Sequence, residues 1–388
     1  MPAHLADVTQ FWSPSGGGVR RYLTAKRRWL ARHTAWCHSL VVPGDGKGGT
    51  LPSVPLPFSH GYRWPHSRVR STRSIVDLQP DLIECGDPLA AFSAAAQAAN
   101  RLRVPLVAFA HCDLPAMAAR FGGATAERLA AAYLRRVYGR CELVLAPSRH
   151  TRARLHHYGV ERVRVQPLGV DTSIFRPQAP ALDWHAQLNL PRATRVLVYA
   201  GRFAPEKNLH VLTEAVRRLG PTYALIAIGA GPMPPAGPQV TVMPFRRDTA
   251  QLAAAINGAD VFVHAGDAET FGLGALEALA CGVPVVACAT AAITEMIDNR
   301  VGAAVAWTAG KGADQKRADR FAQAISAVCE RGRESYATPA RERALCYDWK
   351  PVFGQLFGRY VRLMAQNGRG APEYAPRDAH DIAVRHPA

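Results

Sequence analysis

Apolar and polar positions along the chain fall into alternating short runs and amphipathic stretches. Residues 5–12 read as a first strand with poor alternation, and residues 19–33 read as a helix. On a helical wheel Val19, Tyr22, Leu23, Trp29 and Leu30 share one face of that helix, and Arg20, Arg21, Arg27, Arg28 and Arg32 share the opposite one. Lys26 falls inside the apolar stripe, where it must snorkel or find a partner. Residues 37–42 form a second strand. Residues 43–72 carry too many Pro and Gly for a regular element, and their G-x-G-x-x-G at 44–49 opens into this loop, not a helix, so it does not read as a nicotinamide site.

From Ser74 the alternation is clear. A short helix leads to Pro80, strands are predicted at 81–85, 104–110, 142–146 and 163–166, and helices at 88–102, 124–138 and, capped by Ser148, up to Tyr158. Residues 171–194 lack periodicity and read as a connection. A second series follows, with strands at 196–200, 223–228, 239–243, 260–264 and 283–287 and helices at 206–219, 248–256, 314–329 and 347–364. Strands alternating with helices predict an α/β fold whose parallel sheets are covered on both faces. The predicted organisation is one domain over 1–178, a second over 192–346, a closing helix over 347–365 and a disordered tail over 366–388.

A chain of 388 residues suits two cores better than one. No run reaches about 18 apolar residues, so no transmembrane helix is predicted. The eight cysteines show no C-x-x-C pair and no metal-like spacing with His; without a leader peptide they suggest reduced thiols in a cytoplasmic protein. Net charge is +17, with 24 Lys and Arg against 11 Asp and Glu in residues 1–180. That basic half points to an anionic partner or to an Arg-rich composition. The arginine face of helix 19–33, with Lys26 and Trp29, could lie on an anionic membrane surface, or it could be the solvated back of a core helix. No RNP, helix-turn-helix or zinc-finger pattern supports nucleic acid as the partner.

The stretch with the most chemistry is ETFGLGALE, residues 269–277, followed by ALACGVPVVA. Glu269 and Glu277 flank a turn containing Gly272 and Gly274 and the start of a helix, whose positive end favours an anion. Upstream, GRFAPEKN (201–208) supplies Arg202 and Lys207 after a strand, a place where parallel sheets bind ligands. Arg is suited to bidentate phosphate contact and Lys to a point charge. Gly16, Gly17 and Gly18 precede the first helix, and His111 follows the strand ending at Ala110 with Asp113 nearby. Tyr62 and Arg63 sit in the Pro-rich loop, where they contact a ligand or cover a core edge. No Asp-x-Asp is present to hold a metal against a diphosphate.

Taken together with PLGVD (167–171) and SGGG (15–18), these motifs resemble retaining GT-B glycosyltransferases of family 4, in flavour the bacterial GDP-mannose-dependent mannosyltransferases. The resemblance covers roughly residues 1–360. It implies two Rossmann-like domains facing a cleft, the first acceptor-side and the second donor-binding, with the closing helix crossing back onto the first. It implies catalytic roles for Arg202, Lys207, Glu269 and His111. Donor contacts would come from Gly16, Gly17, Gly18, Phe271, Gly272 and Leu273, from Glu277 on the ribose hydroxyls, and from Phe245 near the base. Tyr62, Arg63 and Asp113 are acceptor-side candidates. The chain has Ala265-Gly-Asp-Ala268 where the family usually has Pro-Ser before the first Glu, so its sugar preference is open. No cofactor or metal is expected beyond the nucleotide sugar, GDP-mannose favoured. The acceptor is a glycolipid or a polysaccharide precursor, at the inner face of a membrane. A UDP-hexose donor is the alternative; a basic nucleic-acid- or membrane-binding protein without transferase activity is the distant one.

Overall fold

The computed structural model describes residues 2–13, 17–46, 49–57, 61–177, 181–289, 292–307 and 312–368. Two compact units emerge, Met1–Leu168 with Trp349–Ala388, and Gly169–Asp348.

In the first unit, β1 (His4–Val8), α1 (Gly18–His33) and β2 (Cys37–Val41) open the chain. β3 (Pro43–Gly44), β4 (Leu51–Pro55) and β5 (Arg63–Pro65) follow, then α2 (Arg68–Val76), β6 (Leu82–Cys85), α3 (Ala90–Leu102), β7 (Leu106–Phe109), α4 (Leu114–Tyr138), β8 (Leu143–Ala146), α5 (Arg149–His157) and β9 (Val163–Val165). Six strands pair in parallel in the order β2-β1-β6-β7-β8-β9. Their inward residues, with the alanine-rich face of α3, make the core: Val8, Ile83, Phe92, Ala95, Ala108 and Val144 are all buried.

The second unit holds α6 (Trp184–Leu188), β10 (Arg195–Arg202), α7 (Leu209–Leu219), β11 (Tyr223–Ala230), β12 (Val240–Pro244), α8 (Thr249–Asn257) and β13 (Val261–His264). It continues with α9 (Leu273–Ala280), β14 (Val285–Cys288), β15 (Gly302–Val305), α10 (Ala313–Arg331) and α11 (Glu334–Leu345). Its sheet is again parallel, ordered β12-β11-β10-β13-β14-β15. The last helix, α12 (Trp349–Gln366), belongs to the first unit. Its Phe353 and Phe357 pack on Trp29 of α1, with Trp29 and Phe357 stacked at 5.2 Å. These two α/β units and the returning helix are the architecture the sequence motifs imply.

Several elements differ from the pattern-based reading. The first strand ends at Val8, because Gln10 and Thr9 turn to Asp87: the Gln10 amide and the Thr9 hydroxyl both donate to its carboxylate, at 2.7 and 3.0 Å. The Pro-rich stretch is not irregular: β3, β4 and β5 form a small sheet, with β4 and β5 antiparallel. In α4 the predicted helix over 124–138 is preceded by a further helical stretch from Leu114, capped by Asp113 and joined to it across the non-helical Gly122 and Gly123. β15 and α11 escape the pattern because β15 is only four residues, Gly302–Val305, and α11 buries only Tyr336, Ala340 and Ala344 and carries Pro339 within it. The stretch read as a connection is anchored: Trp184 is fully buried and its indole donates to the Ala255 carbonyl at 2.9 Å. Where the chain enters and leaves the second unit, Val170 bridges Asp348, and the Thr172 amide donates to the Asp348 carboxylate at 3.3 Å. The predicted tail begins inside α12, which runs to Gln366, and residues 369–388 lie outside the described residues.

Candidate active site

Two strands that neighbour in the second sheet, β10 and β13, end side by side, and the loops after them carry the charged residues. After β10, a single 3-10 turn (Pro205–Lys207) and the left-handed Asn208, at φ 49, turn the chain into α7. Asn208 holds the two loops together by donating to the Ala265 carbonyl at 3.2 Å, and the Asp267 amide donates to the Glu206 carbonyl at 3.3 Å. This lacing brings the Lys207 ammonium onto Glu269 Oε1.

A second group converges on the same oxygen. His264, the last residue of β13, lies 3.1 Å from Glu269 Oε1 through Nε2. Its Nδ1 accepts the Gly266 amide at 3.2 Å, so the ring hydrogen of the neutral imidazole sits on Nε2, facing the carboxylate. A side chain at Gly266 would meet His264 Cε1 at 2.5 Å, so this loop demands glycine there. Burial alone would raise the Glu269 carboxyl, but Lys207 and His264 outweigh it and hold the group well below the usual carboxylate range. Glu269 is therefore a fixed anion, with Lys207 and Glu269 side chains 13% and 16% exposed. In the sequence His264 is only the end of a strand; its place at the strand's carboxyl end, five residues before the glutamate, is the signal that marks it.

The remaining candidates of this unit sit around the pair. Arg202 is half exposed and pairs with Glu206 at 3.1 Å, while its carbonyl accepts the Tyr199 hydroxyl at 2.8 Å. Gly272 starts α9 at φ 97, a conformation that favours glycine. Gly274 has a different reason: a side chain there would meet Phe262 at 3.1 Å and the Ala200 carbonyl at 3.2 Å, so it lets α9 press onto the sheet. Phe271 turns its ring inward onto Tyr347, edge-on at 5.8 Å, leaving only its backbone for a ligand. Leu273 and Phe245 are half-buried, and Glu277 is buried on the inward side of α9.

In the first unit Gly17 caps α1 and Gly18 is exposed at its start; Gly16 lies outside the described residues. His111 stacks flat on Phe109 at 4.3 Å. Burial, with the charge of Lys26 adding to it, pushes its imidazole down to about 3, so it is a neutral hydrogen-bonding group. Asp113, an acceptor-side candidate, is engaged within its own unit. It caps α4, accepting the Ala116 amide at 3.0 Å, and pairs with Arg154. Arg63 is likewise occupied, bracing β4 by donating to Ser53 Oγ at 3.0 Å and to the Ser53 carbonyl at 2.6 Å. Tyr62 remains half exposed.

The membrane-surface reading of α1 needs correction. Lys26 is fully buried and bonded to Asp7 Oδ1 at 2.8 Å and Glu84 Oε1 at 3.0 Å. Trp29 is buried under α12. Arg20 lies over the Trp12 ring at 5.3 Å and Arg21 is half-buried, while Arg27 and Arg28 are exposed. The apolar stripe faces protein, so α1 has a solvated basic back and no apolar face for lipid.

Two family models match the chain, Glycosyltransferase Family 4 over residues 16–174 and Glycosyl transferases group 1 over residues 194–331. A GDP-mannose-dependent alpha-(1-6)-phosphatidylinositol dimannoside mannosyltransferase of Mycobacterium tuberculosis is 28% identical over 89% of this chain and 93% of its own length. A GDP-mannose-dependent alpha-mannosyltransferase of the same species is 30% identical over 75% of each chain. Among solved structures, sucrose-phosphate synthase from Thermosynechococcus elongatus superposes with a TM-score of 0.75 at 19% identity, covering 94% of this chain and 100% of that one. Anabaena Alr3699/HepE, solved with UDP and glucose, gives 0.67 at 19% identity over 93% and 99%.

Proposed function

Because the chain belongs to glycosyltransferase family 4, we propose that it carries mannose from GDP-mannose to a lipid-linked or polysaccharide-type acceptor, with retention at the anomeric carbon and without a metal. Glycosyl transfer itself is the family's chemistry; donor, acceptor and stereochemistry are our reading. One observation carries the donor site: a lysine and a histidine that converge on one glutamate oxygen, at the carboxyl ends of two adjacent parallel strands. The two mannosyltransferase relatives support GDP-mannose as the donor.

In this reading the bond from the anomeric carbon to the leaving phosphate breaks as the acceptor oxygen bonds on the same face. The acceptor proton passes to the departing phosphate oxygen. Negative charge grows on the diphosphate, and a preorganised cation meets it there. Lys207 has three N–H donors, so it can keep Glu269 and still bind a phosphate oxygen. Glu269, held ionised, accepts from a sugar hydroxyl; His264 keeps it oriented. Arg202 adds a second phosphate contact, Glu277 takes the ribose, and the backbone of Phe271 to Leu273 lines the sugar. Phe245 lies beside the base. Gly17, Gly18 and His111 are the first unit's own candidates for a phosphate or sugar contact, His111 as a neutral imidazole. The acceptor places the enzyme at the inner face of a membrane. A covalent glycosyl adduct on any carboxylate would sink the same-face mechanism.

The test is thermal stabilisation by GDP, UDP, ADP and their sugars, without and then with Mg²⁺. Ligand at roughly 100 times its dissociation constant should stabilise by about 2.7 kcal/mol. The expected result is a shift with GDP-mannose, independent of Mg²⁺ and lost in Glu277→Ala. A shift with UDP-sugars alone overturns the donor assignment, and no shift with any nucleotide overturns the site.

A further inference from the structure

In the second unit two neighbouring strand-end loops are laced together, and the lacing sets a lysine on a glutamate. The first unit has a lacing of its own, through the residues that follow β6. β6 lies between β1 and β7 in the sheet, so the loop of Gly86 and Asp87 has the β1 loop on one side and the β7 loop on the other. The β1 loop leads to Gly17 and Gly18, and the β7 loop carries His111.

Asp87 holds the β1 loop. Its buried carboxylate accepts the Gln10 amide at 2.7 Å and the Thr9 hydroxyl at 3.0 Å on Oδ2, and the Leu89 amide at 3.3 Å on Oδ1. The clasp is closed from the other side: the Gln10 side chain accepts the Ala91 amide, in the first turn of α3, at 3.2 Å. Thr9 Oγ1 in turn accepts the Phe11 amide at 2.9 Å. Burial pushes the Asp87 carboxyl up to about 6 against these donors. A neutral side chain would be easier to bury here, unless the shape of the β1 loop depends on the acid.

Gly86 sets the place of His111. Its amide donates to the Val8 carbonyl at 2.9 Å, which ties the loop to β1. A side chain at this position would come within 3.3 Å of His111 Cδ2 and 3.4 Å of Thr9 Cβ. Gly86 does not have a positive φ, so space and not backbone conformation calls for glycine. The imidazole then has three walls. Phe109 is stacked on it at 4.3 Å, Tyr22 is tilted against it at 5.4 Å, and the Gly86 backbone lies at its Cδ2 edge. Tyr22 is itself fixed: it is fully buried, packs on Phe109 at 5.0 Å and donates its hydroxyl to Glu84 Oε1 at 3.2 Å.

We propose that Gly86 and Asp87 are positioning residues for the transfer reaction: Asp87 fixes the loop that leads to the glycines, and Gly86 keeps the gap that aims His111. The proposal rests on the reading in which those groups meet the donor, and it names the residues that hold them ready. The two close the stretch PDLIECGD, residues 80–87.

The test follows two signals in the full chain. One is GDP release from GDP-mannose with water as the acceptor. The other is the His111 Cε1–H resonance of protein made with ring-labelled histidine, identified by its loss in His111→Ala. Gly86→Ala should lower kcat about tenfold, given that a misplacement of about 1 Å costs roughly a hundredfold, and should change KM for GDP-mannose much less. It should move the His111 resonance and leave those of the other histidines in place. In a His111→Ala background, where a methyl group at 86 has room, Gly86→Ala should cost less than about twofold. Asp87→Ala should lower kcat roughly tenfold or more, as loss of hydrogen bonds to an ionised group does. Asp87→Asn keeps an oxygen for Gln10 and Thr9 and should recover most of that loss; it and Gly86→Ala should melt close to the wild type, which separates positioning from misfolding. A His111 resonance that Gly86→Ala leaves unmoved, an equal cost of Gly86→Ala with and without His111, or no recovery in Asp87→Asn would overturn the proposal. Wild-type GDP release that is absent, or that His111→Ala leaves unchanged, would instead overturn the reading beneath it.

Discussion

Each unit contains a lysine bonded to carboxylates inside it, and the two clusters are built for different ends. In the first unit Lys26 of α1 meets Asp7 of β1 and Glu84 of β6, with every side chain at most 2% exposed. Tyr22 donates to Glu84 Oε1 at 3.2 Å, Tyr360 of α12 donates to Glu84 Oε2, and His38 donates to Asp7 Oδ2 at 2.7 Å. Donors and acceptors there answer one another from five elements, and water has no access. In the second unit Lys207 and Glu269 sit in the loops that follow β10 and β13, and their side chains stay 13% and 16% exposed. A sealed ion cluster binds elements together and cannot meet a substrate. A cluster at the carboxyl ends of strands keeps a face for one. Burial of a charge alone therefore does not mark a site in this chain; its position along the strand does.

Four variants would break or sharpen that contrast. The largest effect is expected from Lys26→Met, which leaves Asp7 and Glu84 without their cation. A loss of about 3–5 kcal/mol in unfolding free energy is the typical cost of breaking a buried pair, to be read by urea denaturation. If stability barely moves, the cluster is not structural. Next comes Lys207→Met, which should lower kcat by about 10²–10³ in a transfer assay, as for removal of one transition-state donor. Its folding stability should change far less than that of Lys26→Met. The reverse pattern would make the second cluster structural too.

His264→Leu should cost roughly 10- to 100-fold in kcat, the value of one hydrogen bond to an ionised group, with KM for the donor altered less. His264→Gln, which can present an amide donor to Glu269, should recover part of the loss. A His264→Leu variant with unchanged kinetics would show that Lys207 alone orients the glutamate.

Taken per pH unit, the smallest effect is a slope in stability. Burial, reinforced by the charge of Asp7, raises the Glu84 carboxyl to about 8, against the opposing pull of Lys26. A folded state that holds this proton above the unfolded value loses stability as pH rises from the ordinary glutamate range to about 8. Asp7, held at about 2 because Lys26 and His38 outweigh its burial, acts the other way and loses its contribution only as pH falls below the usual aspartate range. Glu84→Gln should therefore flatten the decline between pH 5 and 8, whose slope for one group is at most about 1.4 kcal/mol per pH unit. Comparing urea midpoints of the two proteins across that range checks it, and parallel curves would refute it.

The same two clusters show what could be read in the sequence. Period alone exposed the conflict at Lys26, a charge inside an apolar stripe, but its partners lie 19 and 58 residues away along the chain and only pairing of β1 with β6 brings them together. Lys207 and Glu269 were legible because each sits in a local motif at a strand end. His264 was not, because an alternating strand hides a polar residue until its last position is known. The strands β3, β4 and β5 were missed for a related reason: they are two to five residues long and begin or end with proline, so neither period nor propensity accumulates. Trp184 shows the opposite error, since a stretch without periodicity can still be pinned by one large side chain.

The bridge between Val170 and Asp348 joins the first and last few residues of the second unit. That unit is, in gene terms, a cassette: a stretch of coding sequence whose two ends meet in space, set into the reading frame of the first unit. Exchanging residues 169–348 as a block between relatives needs only two junctions, both beside the same bridge, and leaves the parallel sheets on either side whole. On the donor site proposed above, donor preference travels with that block, and the first unit and its last helix stay untouched.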